Sequence, residues 1–356
     1  MFRATLRRRL PVGLTLLVAP LLVLSTPHVA SAAETRNRAD AGAGWVGRAL
    51  DDDTHLVTGQ FGPDYGQTAD AVLALSAAGV GRGTARAATR ALQAHVLDYT
   101  GGGDTNEYYA GPFAKLLVVA AARRTDPRSF GSSIRADLGG ELRGLECGPR
   151  RPGCAATDRG RFSDISQFGD FSSMFSQSLA VLGLARATAA GPSQASVRYL
   201  LSQQCDNGAF PETLGASTCT PSVDATGYAV QALVTVGTPA ARDAAAEAGR
   251  WLVRRQHANG SFTGNGTRNA NSTALATQAL DALDRTKRAG QGRSFLRSLQ
   301  ATCGAQPALR GSVRYSRTDA GDRVLATAQA VPALARVTLG EATSAGSVRG
   351  LPRLAC

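Results

Sequence analysis

Three polar residues stand where chemistry is easiest to build. Asp224, Asn271 and Asp322 each open an apolar stretch that runs into an anchor position, at Leu233, Leu280 and Val331. A carboxylate or amide at the start of a helix lies beside free N–H groups and the positive end of the helix dipole, which suits a polar ligand or a tuned acid. Flanking loops add Asp64, Tyr65, Glu107, Tyr109, Asp164, Asp170, Asn269, Arg314 and Tyr315. Taken singly, Asp and Asn at such places are ordinarily N-caps. Several converging on one rim would instead make a tyrosine-bearing ligand site of mixed charge. Pairs such as Asp164 with Asp170, or Asp319 with Asp322, also have the residue types of an acid–base couple in a lyase or glycosidase.

These residues must be positioned by a repeated unit. Gln204-Cys-Asp-Asn-Gly208-Ala-Phe210 and Gln256-His-Ala-Asn-Gly260-Ser-Phe262 are two copies of one element, each preceded by a stretch with an aromatic and leucine anchors and followed by an apolar run ending in Gln-Ala-Leu. Aligning on the last residue of that run gives Leu75, Val118, Leu184, Leu233, Leu280 and Val331, spaced by 43 to 66 residues, with the longest interval holding the Cys147–Cys154 insertion. A period of this size means one helical hairpin used six times. The second helix of each hairpin, as in Ala225–Val236 and Ser272–Leu283, is almost uncharged and reads as buried all round. The first carries charge at helical spacing, as Glu247, Arg250 and Arg254 do around Trp251, and reads as the outer one. Six inner helices wrapped by outer ones predict an all-α fold, an α/α toroid with an inner and an outer ring, closed rather than an open solenoid. Gly208, Gly260 and Gly304 are expected at corresponding turns after outer helices.

The Gln-x-x-x-Gly-x-Phe elements resemble the Gln-Trp repeats of the prenyltransferases and squalene cyclases, with Phe in place of Trp. Gln300-Ala-Thr-Cys-Gly304-Ala-Gln306 keeps the Gln and Gly, and Gly160-Arg-Phe162 keeps only the last part. The stretch from Asn269 to Leu280 is similar to the transcobalamin-type carriers, which use the same toroid for binding; their small β domain has no counterpart after Leu334. The resemblance implies an acid motif for a class II cyclase, but Asp51-Asp52-Asp53 lacks its first Asp, which is Leu50 here. It implies a zinc site for a protein prenyltransferase, but no Cys-x-x-Cys or spaced His pair is present, so neither metal nor cofactor is expected. No Gly-x-Ser-x-Gly elbow supports a serine hydrolase.

Composition sets the setting. Met1 to about Ala32 has the arginine-rich start, the apolar core Leu10–Leu24 and the Ala-Ser-Ala end of a signal peptide. The expected organisation is thus residues 1–32 as signal, 33–340 as the toroid and 341–356 as a tail. Loss of the signal would remove four arginines and no acid, lowering the net charge from +12 to +8. Arginines are dispersed among acids and not interleaved with aromatics, which excludes a dedicated nucleic-acid surface but suits adhesion to an anionic cell wall. No stretch after the signal is long enough for a membrane span. Six cysteines in a secreted chain suggest three disulfides, and position favours Cys147–Cys154, Cys205–Cys219 and Cys303–Cys356. The reading that results is a secreted bacterial toroid, monomeric, that binds a small molecule or an envelope glycan and leans away from catalysis. The alternative is a cyclase- or prenyltransferase-like or polysaccharide-processing enzyme with its carboxylates on the rim.

Overall fold

In a computed structural model, residues 33–101, 106–131, 136–148, 151 and 154–356 are described. Residues 1–32, where the signal peptide is expected, lie outside them. From Ala32 to Cys356 the chain forms one compact unit.

The helices are α1 (Arg38–Arg48), α2 (Tyr65–Ala78), α3 (Arg82–Ala94), the short α4 (Val96–Thr100), α5 (Ala110–Arg123), α6 (Leu138–Gly144), α7 (Met174–Ala187), α8 (Gln194–Ser202), α9 (Val223–Val236), α10 (Pro239–Arg255), α11 (Ala270–Ala282), α12 (Thr286–Leu299) and α13 (Arg323–Ala335). Helices α2, α5, α7, α9, α11 and α13 pack in that order, and α13 packs back on α2, so the inner ring is closed. Helices α1, α3, α6, α8, α10 and α12 lie outside it, α1 across the α13–α2 seam and α12 against α11 and α13. The fold is an α/α toroid.

Burial follows the charge pattern. Along α9, Ala225, Ala229, Val230, Ala232 and Leu233 have no exposed surface, and Thr226 and Gln231 are buried with them. Along α10 only one stripe is covered, including Ala241, Ala245, Ala248 and Leu252, while Arg250 and Glu247 stay in solvent. Small residues let adjacent inner helices approach closely: a Cβ on Gly227 of α9 would lie 3.0 Å from Leu275 of α11.

The repeated motif is a staple between hairpins. The Gln204 amide donates to the carbonyls of Gly208 and Ala244, and the Gln256 amide to those of Gly260 and Arg288. Each glutamine thus ties its own turn to the first half of the next outer helix. The glycine lies flat against that helix: a Cβ on Gly260 would sit 2.1 Å from the Gln291 carbonyl, and φ is +85°. Phe210 and Phe262 are fully buried, and their backbone N–H groups donate to Thr226 and Thr273 in the first turns of α9 and α11.

Two expectations change in register. The third staple is Gln300 with Gly311 and Val313, not Gly304: the Gln300 amide donates to the carbonyls of Gly311 and Arg38, and Val313 N–H donates to Thr327. The residues between hold Cys303 and a 3-10 turn at Pro307–Leu309, an insertion that hid the spacing. In the Gly160-Arg161-Phe162 copy, Gln177 of α7 takes both roles, donating to Gly160 and Ser196 carbonyls and accepting from Phe162 N–H.

Short strands, which helical periodicity does not signal, form the turns. β2 (Val57–Gly59) pairs with β3 (Gly62–Asp64), β4 (Phe210–Pro211) with β5 (Pro221–Ser222), and β6 (Phe262–Gly264) with β7 (Thr267–Asn269), all antiparallel and each leading straight into an inner helix. The C-terminal segment is part of the body rather than a free tail. β8 (Arg353–Leu354) runs parallel to β1 (Glu34–Thr35), and Gly81 and Arg82 donate to the carbonyls of Gly350 and Val348. The three cysteine pairs are Cys147–Cys154, Cys205–Cys219 and Cys303–Cys356. No helix among the described residues is long and apolar enough to cross a membrane.

Candidate functional site

All six inner helices begin on one face of the ring, and contacts between their first turns record it. The Gln67 amide of α2 donates to Asp322 Oδ2 at 2.6 Å across the seam with α13. First-turn residues of α5, α7, α9 and α11 (Gly111, Ser176, Asp224 and Asn271) line one cavity, and Ala270 N–H donates to the Tyr315 carbonyl ahead of α13. Inside this rim lies a cavity of about 370 Å³, walled by Tyr99, Lys115, Phe175, Asp224, Tyr228 and Asn271 together with apolar and small residues of α5, α7 and α11.

The floor carries an ion pair. Lys115 Nζ lies 3.0 Å from Asp70 Oδ1 and 3.1 Å from Oδ2, and also reaches the Gly66 carbonyl. Burial pulls the ammonium pKa down, but the Asp70 carboxylate more than reverses this and Lys115 is held protonated. It is therefore neither a nucleophile nor a Schiff-base amine. Burial, then the Asp70 charge, raises the phenol of Tyr228, and burial raises that of Tyr99, so both stay neutral donors.

The wall carries Asp224. It is not the N-cap of α9; Ser222 is, accepting from Ala225 N–H, and Asp224 is the second helical residue. Burial raises its carboxyl above the usual range, opposed by the Ser272 hydrogen bond and reinforced by Glu212. Asn271 holds the same place on α11, whose cap is Asn269. Asp224 Oδ1, Asn271 Oδ1 and Gln329 Oε1, all on cavity-lining residues, are buried without a hydrogen-bond partner in the protein. On the outer side Asp224 also borders a groove of about 870 Å³ between the β4–β5 and β6–β7 turns.

The other rim candidates are spread around this centre, and most are engaged in holding loops. Asp64 caps α2 through Gln67 N–H, Asp322 caps α13 through Leu325 N–H, and Asn269 caps α11 while its amide donates to Gly264 and Thr267 carbonyls. Tyr109 offers α5 no side-chain cap; Asp164 supplies it from another loop, accepting from Ala110 and Phe171 N–H groups. Burial raises the Asp164 carboxyl. Asp170 accepts from Asp164 N–H and pairs with Arg161, so these two carboxyls form a loop brace. Glu107 accepts from the Tyr109 hydroxyl and Gln167 N–H. Tyr65 stacks on His95 and approaches Tyr99, with its hydroxyl 3.4 Å from Asp98. Tyr315 is close enough to feel Asp224 and Asp319, although burial is the main cause of its raised pKa. Arg314 keeps a buried Nε without a hydrogen-bond partner.

Asp51 is the opposite of an acid catalyst. At the exposed end of α1 it accepts from the N–H of Thr54 and of Asp53 and from the Thr54 hydroxyl, which hold its pKa down. Among the described residues no group of three or more His, Cys, Asp or Glu side chains is placed to hold a metal.

Sequence reasoning missed Asp70, Lys115, Tyr99, Tyr228 and Gln329. A signal for two of them existed: Lys115 is one of two lysines in the chain, and both it and Asp70 interrupt helices that are otherwise apolar. A charge in a helix buried all round has to meet a partner or a ligand.

No protein-family model matches the sequence, and no curated protein matches it. Solved structures do. A protein from Actinoplanes is similar at 17% identity and a TM-score of 0.56, over 84% of this chain and 98% of that one. The type II terpene cyclase MstE from Scytonema, at 13% identity and a TM-score of 0.58, aligns over 84% of this chain and 96% of its own. The ent-copalyl diphosphate synthase of Streptomyces platensis, at 19% identity and a TM-score of 0.51, aligns over 77% of this chain and 52% of its own. The chain has the α/α-toroid fold of the terpenoid cyclases.

Proposed function

We propose that this protein is a secreted toroid that binds a polar small molecule or an envelope glycan in the cavity at the start of its inner helices, without turning it over. The observation that carries the reading is the cavity lining: a neutralised Lys115–Asp70 pair, two neutral phenols, and three residues with buried acceptors left unpaired. Unpaired buried acceptors each cost about 1–3 kcal/mol, and a ligand that donates to them offsets that cost. A carbocation chemistry finds little support in such a wall. Its aromatic faces are few, and the nearest thing to a cyclase acid motif, Asp51–Asp53, is exposed and held ionised at Asp51. Three disulfides suit an oxidising compartment, in keeping with export.

One observation favours an enzyme instead. Asp224 is a buried carboxyl with a raised pKa between an open groove and an inner cavity, which is how a general acid is placed. The two readings part in one experiment. Purified protein is denatured and the released small molecules are identified by mass spectrometry, and the same compounds are then incubated with native protein. Recovery of an unchanged ligand supports binding; conversion abolished by Asp224→Asn establishes the enzyme.

A further inference from the structure

Asp224 has no counter-ion. What acts on its carboxyl is burial, the Ser272 hydroxyl and the like charge of Glu212; no basic side chain among the described residues pairs with it. The one cation of the cavity, Lys115, is spent on Asp70 and the Gly66 carbonyl. The cavity around Asp224 thus holds one carboxyl with no ion-pair partner and two further buried amide oxygens left unpaired. A desolvated carboxyl either keeps a proton or is ionised by a cation beside it, and a donor cation also satisfies neighbouring amide oxygens. Asn271 and Gln329 line the same cavity and bring those oxygens. A bare divalent ion fits poorly, since calcium takes six to eight oxygens and a single carboxylate lines this cavity free of an ion pair.

The groove on the other side of Asp224 differs in character. Thr213, Thr220, Ser222, Thr263 and Asn265 give it a hydroxyl and amide lining. It also carries Glu212, His257 and two arginines, neither of which pairs with Asp224: Arg254 donates to the Asn207 carbonyl and Arg255 lies over the Trp251 ring at 5.4 Å. Asp224 is the residue common to groove and cavity. One molecule reaching both would present a cation at Asp224 and hydroxyls along the groove.

We infer that the site recognises an amino sugar or a similar hydroxylated amine, its ammonium paired with Asp224 and assisted by Asn271 and Gln329, and its hydroxyl-bearing remainder in the groove. This rests on the binding reading above and adds the chemical class of the ligand.

The test is calorimetric titration of the full chain at about pH 6.5, where an amine of this kind is protonated, with D-glucosamine, D-glucose, N-acetyl-D-glucosamine and calcium chloride. The expected result is that glucosamine binds roughly tenfold or more tightly than either neutral sugar, as a charge-assisted contact implies. Asp224→Asn should abolish that preference while keeping its native circular dichroism, and Asn271→Ala should reduce it. Equal binding of the three sugars, binding of none, or a preference that survives in Asp224→Asn overturns the inference, as does binding of calcium alone. A neutral ligand recovered from the native protein, with affinity unchanged in Asp224→Asn, would overturn it and leave the binding reading standing. Turnover would instead overturn the binding reading.

Discussion

Gln204 and Gln177 sit on different rings, one at the end of an outer helix and the other inside an inner helix, yet their amides make the same pair of contacts. Each donates to the carbonyl of a left-handed glycine, Gly208 or Gly160, and to a carbonyl of the next outer helix. The toroid needs a donor at that junction because two backbone carbonyls are buried there, and the chain supplies it from whichever side is available.

The staple should therefore be a stability element. Gln256→Ala leaves two carbonyls without a side-chain donor and should cost about 1–3 kcal/mol in urea unfolding. Gly260→Ala should cost more, because its Cβ would meet the Gln291 carbonyl at 2.1 Å. A loss below about 0.5 kcal/mol in both would show that the junction is not held this way.

The buried pair on the cavity floor should behave as a unit. Lys115→Met leaves the Asp70 carboxyl buried without its partner, and Asp70→Asn leaves Lys115 alone, so each should destabilise by about 3–5 kcal/mol. The double variant should be closer to wild type than either single one. Additive losses across this cycle would mean the two side chains do not share their charge.

Asp224 gives a pH-dependent signature. Its folded pKa is raised above its unfolded one, so between the two the folded state binds the proton and the unfolded state does not. Stability then falls as pH rises from the unfolded toward the folded value, and the cost of the charge is borne above the folded value. Asp224→Asn should accordingly melt higher than wild type at neutral pH, with the gain shrinking on acidification and gone below the ordinary Asp value of 3.8. A lower melting temperature for the variant at pH 7 would show that the carboxylate is already compensated.

The third disulfide ties Cys356 to Cys303 and so holds β8 beside β1. Replacing both cysteines by serine should cost about 2–4 kcal/mol and open the amides of β1 and β8 to hydrogen exchange first. Uniform exchange in the variant would mean the terminal segment is held by its packing alone.

The toroid was legible because two clear motif copies and the contrast between charged and uncharged helices survive in the sequence. Register was not. Val331 was aligned with Leu280, but the threonines that bond the motif residue, Thr273 and Thr327, show that Leu334 is the true counterpart. A shift of three residues is close to one helical turn and keeps the same apolar face, so hydrophobic pattern does not register it. Asp322 is consequently a cap, while Asp224 and Asn271 sit two residues past the caps of their helices and border the cavity. Most other rim candidates were drawn by residue type, and in the loops they brace the backbone instead, as Asp164 and Asp170 do. The ion pair escaped notice because Asp70 and Lys115 lie on different hairpins, and only the packing of the consecutive inner helices α2 and α5 brings them together.

The central claim is that a polar molecule occupies the cavity beside Asp224 and leaves unchanged. The most direct measurement is native mass spectrometry of the purified protein beside Asp224→Asn, with the released ligand identified after denaturation. The account predicts one small polar species on the wild-type protein, lost or strongly reduced in the variant, and recovered intact after prolonged incubation with fresh protein. An empty wild-type protein that binds none of the polar candidates, or a ligand converted to product in an Asp224-dependent reaction, would contradict it.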